Sequence, residues 1–304
     1  MRLPMRCYNI RQKGVALLMA MLVVALASVI AVSLVHEQSV SIRKTSHIQL
    51  NEISMMYALA LEDYGRLVLQ DDFGKGKTDD TSELWAQEML PIPISGGFMY
   101  GSMIDLQSLI NLNAIMQPET EERLRALCNN LKLGAEFIPA LKDWIDSDLD
   151  TVDADGAEDD YYTGLEFPYR TANRKLTDIS ELLLVKGMDF EKFELLKDFV
   201  TVLPVETDLN LNTIPKEIYL TIDKNLDAEK FESERENSPF SSLQDYIDRM
   251  KHTVPAKGLA VSTEYFKADG HVVLGEKNLS IKSLIHRNTQ GVTRVISRKL
   301  GEFS

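Results

Sequence analysis

Residues 15 to 35 read VALLMAMLVVALASVIAVSLV, 21 consecutive positions without a charge. As a helix they extend roughly 31 Å, enough to cross a hydrocarbon core of about 30 Å. Ahead of this segment lie Arg2, Arg6, Arg11 and Lys13 with no acid; behind it come Glu37 and only then Arg43 and Lys44. The positive-inside rule therefore puts the N-terminus in the cytoplasm and the bulk of the chain on the far side. A cleaved secretory signal has an apolar region of about 7 to 15 residues ending in a small-x-small site. Here the apolar run is longer, and Ala25-x-Ala27 sits in its middle. A buried helix of a soluble protein is the remaining alternative, and the basic stretch in front disfavours it.

From Val40 to Leu69 the pattern turns amphipathic, with Ile48, Ile53, Met56, Leu59 and Leu67 interleaved with charges. No Pro or Gly interrupts residues 15 to 64, so one continuous helix is expected from about 15 to 70, its first half in lipid and its second half packed on a domain. Gly14 marks the boundary between basic leader and helix.

The run Arg11-Gln12-Lys13-Gly14 followed by Val15-Ala16-Leu17-Leu18 resembles the leader of type IV pilins and type II secretion pseudopilins. The resemblance implies cutting between Gly14 and Val15 by a prepilin peptidase. It departs from the usual pattern at the fifth residue after Gly14, which is Met19 where the major subunits carry Glu. In that family the Glu is thought to pair with the N-terminal amine of a neighbour, since an unpaired charge in lipid costs several kcal/mol. An apolar Met19 cannot make that pair, and in this the chain resembles the K pseudopilins, proposed to cap the filament tip. Removal of the leader would leave 29 basic against 46 acidic side chains, a change from −13 to −17, and Cys128 as the one remaining cysteine. On a helix with Leu124 and Leu127, Cys128 reads as a small buried hydrophobe.

Beyond the helix, residues 71 to 82 form a polar loop, Trp85 to Leu90 a short helical piece ended by Pro91 and Pro93, and Gly97 to Met103 and Ile104 to Leu112 extended segments. Thr263 to Leu274, Asn278 to Arg287 and Val292 to Leu300, parted by Gly275-Glu276 and by residues 288 to 291, predict an antiparallel meander. Helix starts lie between these strand regions: Pro118, a capping box at Asp178-x-x-Glu181 and another at Ser241-x-x-Gln244. Two similar turns, Asn111-Leu112-Asn113 and Asn210-Leu211-Asn212, frame much of that region and suit Asn as a turn and cap residue. They also resemble the K pseudopilins.

The expected fold is α+β: a long N-terminal transmembrane and amphipathic helix packed on an antiparallel sheet, the pseudopilin fold, with a large inserted α-helical domain. Its expected parts are a cleaved leader (1–14), a transmembrane helix (15–35), the second half of the helix with the first strands (36–113), the helical insert with its acidic loop (114–250) and the C-terminal strands (251–304).

The most chemically pointed stretch runs from Asp143 to Asp160, nine acids in 18 residues with no Lys or Arg. Such density repels itself unless it is solvated, protonated or neutralised by a cation. Hard oxygen ligands on short side chains suit Ca²⁺, which takes about six to eight oxygens in flexible geometry. Setting Gly156 at the sixth position of an EF-hand puts Tyr162 where the closing Glu belongs, so that motif fails. An irregular site is expected from Asp146, Asp148, Asp150, Asp153, Asp155, Glu158, Asp159 and Asp160. The resemblance likewise implies structural calcium in the insert of the K family.

A −13 balance argues against nucleic acid, including a helix-hairpin-helix reading of Lys186-Gly187-Met188. The five histidines are too scattered for close metal spacing, and no GxSxG or P-loop occurs, so no catalytic residue is assigned. The expectation is a non-enzymatic minor pseudopilin of type II secretion, crossing the inner membrane once with its bulk in the periplasm. Its expected partners are the other minor pseudopilins of a tip complex, prepilin peptidase and the membrane. Alternatives are a minor pilin of a type IV filament, or a membrane-anchored, Ca²⁺-dependent periplasmic hydrolase using Asp146 and Glu158.

Overall fold

In chain order the helices and strands are α1 (Lys13–Phe73), β1 (Ile92–Ile94), β2 (Gly97–Asp105), β3 (Ile110–Asn111), α2 (Pro118–Asn130), α3 (Phe137–Ile145), α4 (Asp159–Tyr162), α5 (Phe190–Leu196), β4 (Val200–Thr201), β5 (Leu209–Asn210), α6 (Lys216–Tyr219), α7 (Ala228–Asn237), α8 (Leu243–Met250), β6 (Leu259–Ala260), β7 (Tyr265–Leu274), β8 (Lys277–Arg287) and β9 (Thr293–Glu302). The structure is a computed structural model and describes residues 13–223, 225–251 and 257–302. The chain divides into two units, Met1–Met56 and Tyr57–Ser304. Within the first, every apolar side chain from Val15 to Val35 is exposed. That exposure is what a helix made for lipid or for other helices should show.

In the second unit a five-stranded antiparallel sheet runs in the order β1-β2-β7-β8-β9. The C-terminal meander thus matches the Val- and Ile-rich runs read from sequence. β7 and β8 are joined by Gly275-Glu276, with Leu274 opposite Lys277 and Gly275 at φ +59°, the positive angle that a two-residue hairpin turn requires. On the face of the sheet toward α1, Leu69, Trp85, Phe266 and Ile285 form a core, Trp85 meeting Phe266 edge to face at 5.2 Å.

Two charge clusters tie the C-terminal part of α1 to the sheet. At the end of β8, buried Arg287 donates to Leu69 O (3.2 Å), Asp72 (3.1 Å), Asp79 and Thr263 O (3.2 Å), with its guanidinium 5.5 Å and 4.8 Å from the ring centres of Phe73 and Phe266. Burial still raises Asp79 to about 6 against the pull of Arg287. Further along, Glu62 accepts both Arg298 Nε and Nη2 at 2.6 Å and also the Ser283 hydroxyl. Burial opposes ionisation of Glu62, but the Arg298 and Ser283 bonds outweigh it and lower its pKa.

β2 and β7 are neighbours in the sheet, and the chain between them, residues 106 to 264, builds the helical insert. The two Asn turns do the same work twice. Asn111 Oδ1 accepts Asn113 N and Asn210 Oδ1 accepts Asn212 N, each at 3.1 Å. Asn113 then brackets Leu176, taking its N–H (2.7 Å) and donating to its carbonyl (2.9 Å); Asn212 brackets Phe240 in the same way (2.8 and 3.0 Å). Asn113 also donates to Leu203 O and Asn212 to Val261 O, just beyond β4 and β6. β3 pairs with β4 and β5 with β6, both parallel. Buried amides held at both ends explain why Asn recurs at these positions.

Several local expectations shift. α1 continues to Phe73, and residues 84 to 90 supply only a 3₁₀ turn at Leu84–Ala86. The extended reading of Ile104 to Leu112 gives way to 3₁₀ turns at Leu106–Ser108 and Leu112–Ala114, because Asp105 and Asn111 accept the N–H groups two residues on. The Asp178–Glu181 capping box forms, but it opens a 3₁₀ segment rather than an α-helix. The second cap is Ser242, one residue later than the reading, since Ser242 Oγ takes Asp245 N while Ser241 bonds the Asp245 carboxylate. Cys128 is fully buried and burial pushes its thiol up to about 11, as a small core hydrophobe.

Removing one partner of a buried ion cluster leaves charge uncompensated. Arg287→Met is expected to cost about 3–5 kcal/mol in urea unfolding of the detergent-solubilised chain. Asp72→Asn, with Asp79 still beside the arginine, should cost less.

Candidate metal centre

α3 ends at Ile145, and the acidic run that follows is folded by one side chain. Asp143, fully buried on α3, accepts Val152 N (3.0 Å) through one oxygen and Ala157 N (2.6 Å) through the other. A Cβ on Gly156 would lie 2.3 Å from Asp143 Oδ2, so the glycine is needed for the loop to close over the carboxylate. Lys186 holds the far side: its ammonium donates to Gly156 O (2.9 Å) and sits 5.1 Å from the Tyr161 ring centre, and its N–H donates to the Tyr162 hydroxyl (3.2 Å). Trp144, Tyr162 and Tyr169 pack edge to face and tilted beneath.

Closing the loop brings together three of the eight candidate ligands. Asp146, Asp148 and Glu158 each offer a carboxylate oxygen within 4.8 Å of the other two. Glu158 is 5% exposed, and neither of its oxygens has a hydrogen-bond partner; nor does Asp146 Oδ1. The nearby Thr171 hydroxyl is occupied by Asp159 (2.9 Å). Burial, with the charges of Asp143 and Asp146 adding, pushes Glu158 up to about 7. Burial and the Asp148 and Asp143 charges push Asp146 up to about 6. Buried carboxylates without donors are costly unless protonated or neutralised, so this donor set of hard oxygens fits a Ca²⁺-type cation.

The remaining candidates lie elsewhere. Asp159 turns to Thr171 N (3.0 Å) and Arg170 (3.4 Å). Asp150, Asp153, Asp155 and Asp160 are exposed and outside the cluster, and Asp153 accepts the N–H of Asp155. Asp143 and Lys186 were not assigned a role from sequence. Asp143 lay at the edge of the acidic run, and only its helical position made it the loop's internal anchor. A second group, Asp72, Asp79 and Glu83, also converges, but Arg287 and the Trp85 indole already satisfy it.

The family model for protein K of the type II secretion system matches residues 102–205, which include this centre. Over 96% of the chain and 93% of the relative, the sequence is 31% identical to the type II secretion system protein K of Pseudomonas aeruginosa. The chain belongs to the protein K family of type II secretion. The protein K of Klebsiella pneumoniae is 30% identical over 97% of this chain and 98% of its own, and that of Pectobacterium carotovorum is 29% identical over 96% and 98%. Among solved structures, the crystal structure of the GspK-GspI-GspJ complex from the type 2 secretion system of enterotoxigenic Escherichia coli contains a chain of the same fold. That chain aligns with a TM-score of 0.70 and 24% identity, covering 86% of this chain and all of its own. The α+β architecture with helical insert is therefore the family's, and the chain is a minor pseudopilin of the type II secretion system.

The raised acids give a signed pH effect. Because Asp146 and Glu158 hold protons in the fold that the unfolded chain has released above its ordinary carboxylate values, their contribution is most favourable at low pH. It is lost as pH rises through about 6 to about 7. In chelator, Asp146→Asn with Glu158→Gln should therefore gain in thermal midpoint relative to the parent between about pH 4.5 and about pH 8. A constant difference across that range would contradict the assignment.

Proposed function

We propose that the chain caps the tip of a short periplasmic filament of the type II secretion machinery, reaching it from the inner membrane. The observation that carries the reading is α1 itself. It has 21 uncharged positions from Val15, exposed throughout, and Met19 at the place where a filament-body subunit carries an acid. A helix with no charge to neutralise at that depth needs no neighbour above it, which suits a terminal subunit. Prepilin peptidase cuts between Gly14 and Val15, and the basic leader, residues 1 to 12 of which lie outside the described residues, sets the orientation with the bulk in the periplasm. By analogy with the Escherichia coli complex, the partners are other minor pseudopilins of the same system.

Calcium is the structural ion of the insert, held by Asp146, Asp148 and Glu158. Its role is to neutralise a buried acid cluster that the protein's own donors leave unpaired. Burial of both Glu158 oxygens favours this role over general acid–base work, which needs a carboxyl group within reach of substrate. The tethered-hydrolase alternative therefore has no support from the geometry of the pair it needs.

Two measurements test the reading. Coexpressed with prepilin peptidase, the parent chain should lose the mass of residues 1 to 14 and Gly14→Ala should retain it; equal processing of both rejects the pseudopilin route. With Ca²⁺ at about 100 times its dissociation constant, stability should rise by about 2.7 kcal/mol over chelator, and no shift in thermal midpoint would rule out the structural ion.

A further inference from the structure

Residues 80 to 90 cross the space between α1 and the sheet as a strap with one foothold. From Thr81 to Leu90, Trp85 is the one buried residue, set against Leu69 and Phe266. Beneath the strap lies a half-open cavity of about 340 Å³, walled by Leu61 and Val68 of α1 and floored by Met103, Ala268 and Ile281. Protein interiors seldom leave a gap of this size, and a segment lying over one with few buried contacts opens at low free energy. The strap is pinned at its start, where Asp79 N donates to Val261 O (3.0 Å) and the Asp79 carboxylate takes Thr263 N (2.8 Å) and Arg287. It is pinned again at its end, where Met89 N donates to Gly101 O (2.9 Å) and β1 pairs with β2. Between these points Glu83 is the tie, its Oε2 accepting Trp85 Nε1 (2.5 Å) and Asp80 N (3.2 Å).

The hydrogen bonds around Glu83 are made, but its charge is not balanced. Asp72, Asp79 and Glu83 each bring a carboxylate oxygen within 4.8 Å of the other two, and Arg287 pairs with Asp72 and Asp79. On α1, Lys75 is bonded to Asp71 (2.5 Å). Within the strap, Asp80 takes Ser82 N and Oγ, and from the end of β2 Asp105 adds its charge to Asp79. Across the cavity, Glu62 is matched by Arg298, and Asp269 lies beside His271 and Lys282. Three carboxylates this close to one guanidinium repel one another when all are ionised. Burial, partly offset by the Trp85 bond and with the charges of Asp72 and Asp79 adding, pushes Glu83 up to about 7. We infer that Glu83 is a proton-operated latch: protonated, it keeps the strap seated through Trp85; ionised, it is repelled by Asp72 and Asp79, and the strap lifts from the apolar cavity floor. The sign follows from the raised acid, which favours the closed strap at low pH and loses that preference as pH rises through about 7.

The test is amide hydrogen exchange of the detergent-solubilised full chain at constant Ca²⁺, corrected for intrinsic exchange. Protection of residues 84 to 90, Met89 N included, should fall about tenfold between about pH 6 and about pH 8, while β7 keeps its protection. Glu83→Gln retains an acceptor for the Trp85 indole without the charge, and should keep the strap protected equally at both values. Asp72→Asn, which removes one repelling neighbour, should shrink the fall. In a Trp144→Phe background, acrylamide quenching of Trp85 should rise over the same interval. Equal strap protection at both pH values in the parent chain overturns the latch. So does an unchanged fall in Glu83→Gln, or a fall of the same size in β7, which would mean that the whole unit loosens.

Discussion

Arg287 is the residue on which the folded unit turns. A single guanidinium at the end of β8 reaches a helix carbonyl, two carboxylates and the carbonyl that precedes β7, with an aromatic ring on either side. These groups come from positions 69, 72, 79 and 263, so the end of α1, the loop after it and the return from the insert are all fixed relative to β8. A buried cation with this many acceptors is stabilising only because each bond is made, and its loss strands Asp79, which burial already raises to about 6. The Asp105 carboxylate extends the arrangement into the insert, accepting Gln107 N, Asn210 and Thr213.

Around that anchor the insert is organised by repetition. Each Asn turn captures both backbone groups of a residue two positions before a helix cap, Leu176 before Asp178 and Phe240 before Ser242. In the first half, additional chain between α3 and α4 becomes the acidic loop, which Asp143 and Lys186 fold without using the acids that converge beside them. The protein thereby builds a loop whose shape is set by its own bonds and whose charge is not. Both Glu158 oxygens and Asp146 Oδ1 are thereby left buried without a donor.

The N-terminal helix was legible because length and absence of charge suffice: 21 uncharged residues permit few environments. The C-terminal meander was legible because alternation and a Gly-containing two-residue turn are local signals. Caps at Pro118 and Asp178 were read correctly as boundaries, yet 3₁₀ rather than α geometry followed Asp178 because capping chemistry marks where a helix begins and not which one. The short strands β3 to β6 carry no pattern of their own, since two residues held by parallel pairing depend on partners 50 to 90 positions away.

Sequence by itself thus determined the membrane-length helix, the α+β class, the family resemblance and the fact that the acids of residues 143 to 160 demand compensation. Tertiary structure alone decided which acids converge. Asp146, Asp148 and Glu158 meet because Asp143 draws Val152 and Ala157 onto α3, while Asp159 is diverted to Thr171. The physical reason is that charge density is a property of composition, whereas desolvation is a property of packing. Only the folded loop makes Glu158 a buried carboxylate without a donor and leaves Asp150, Asp153, Asp155 and Asp160 in water.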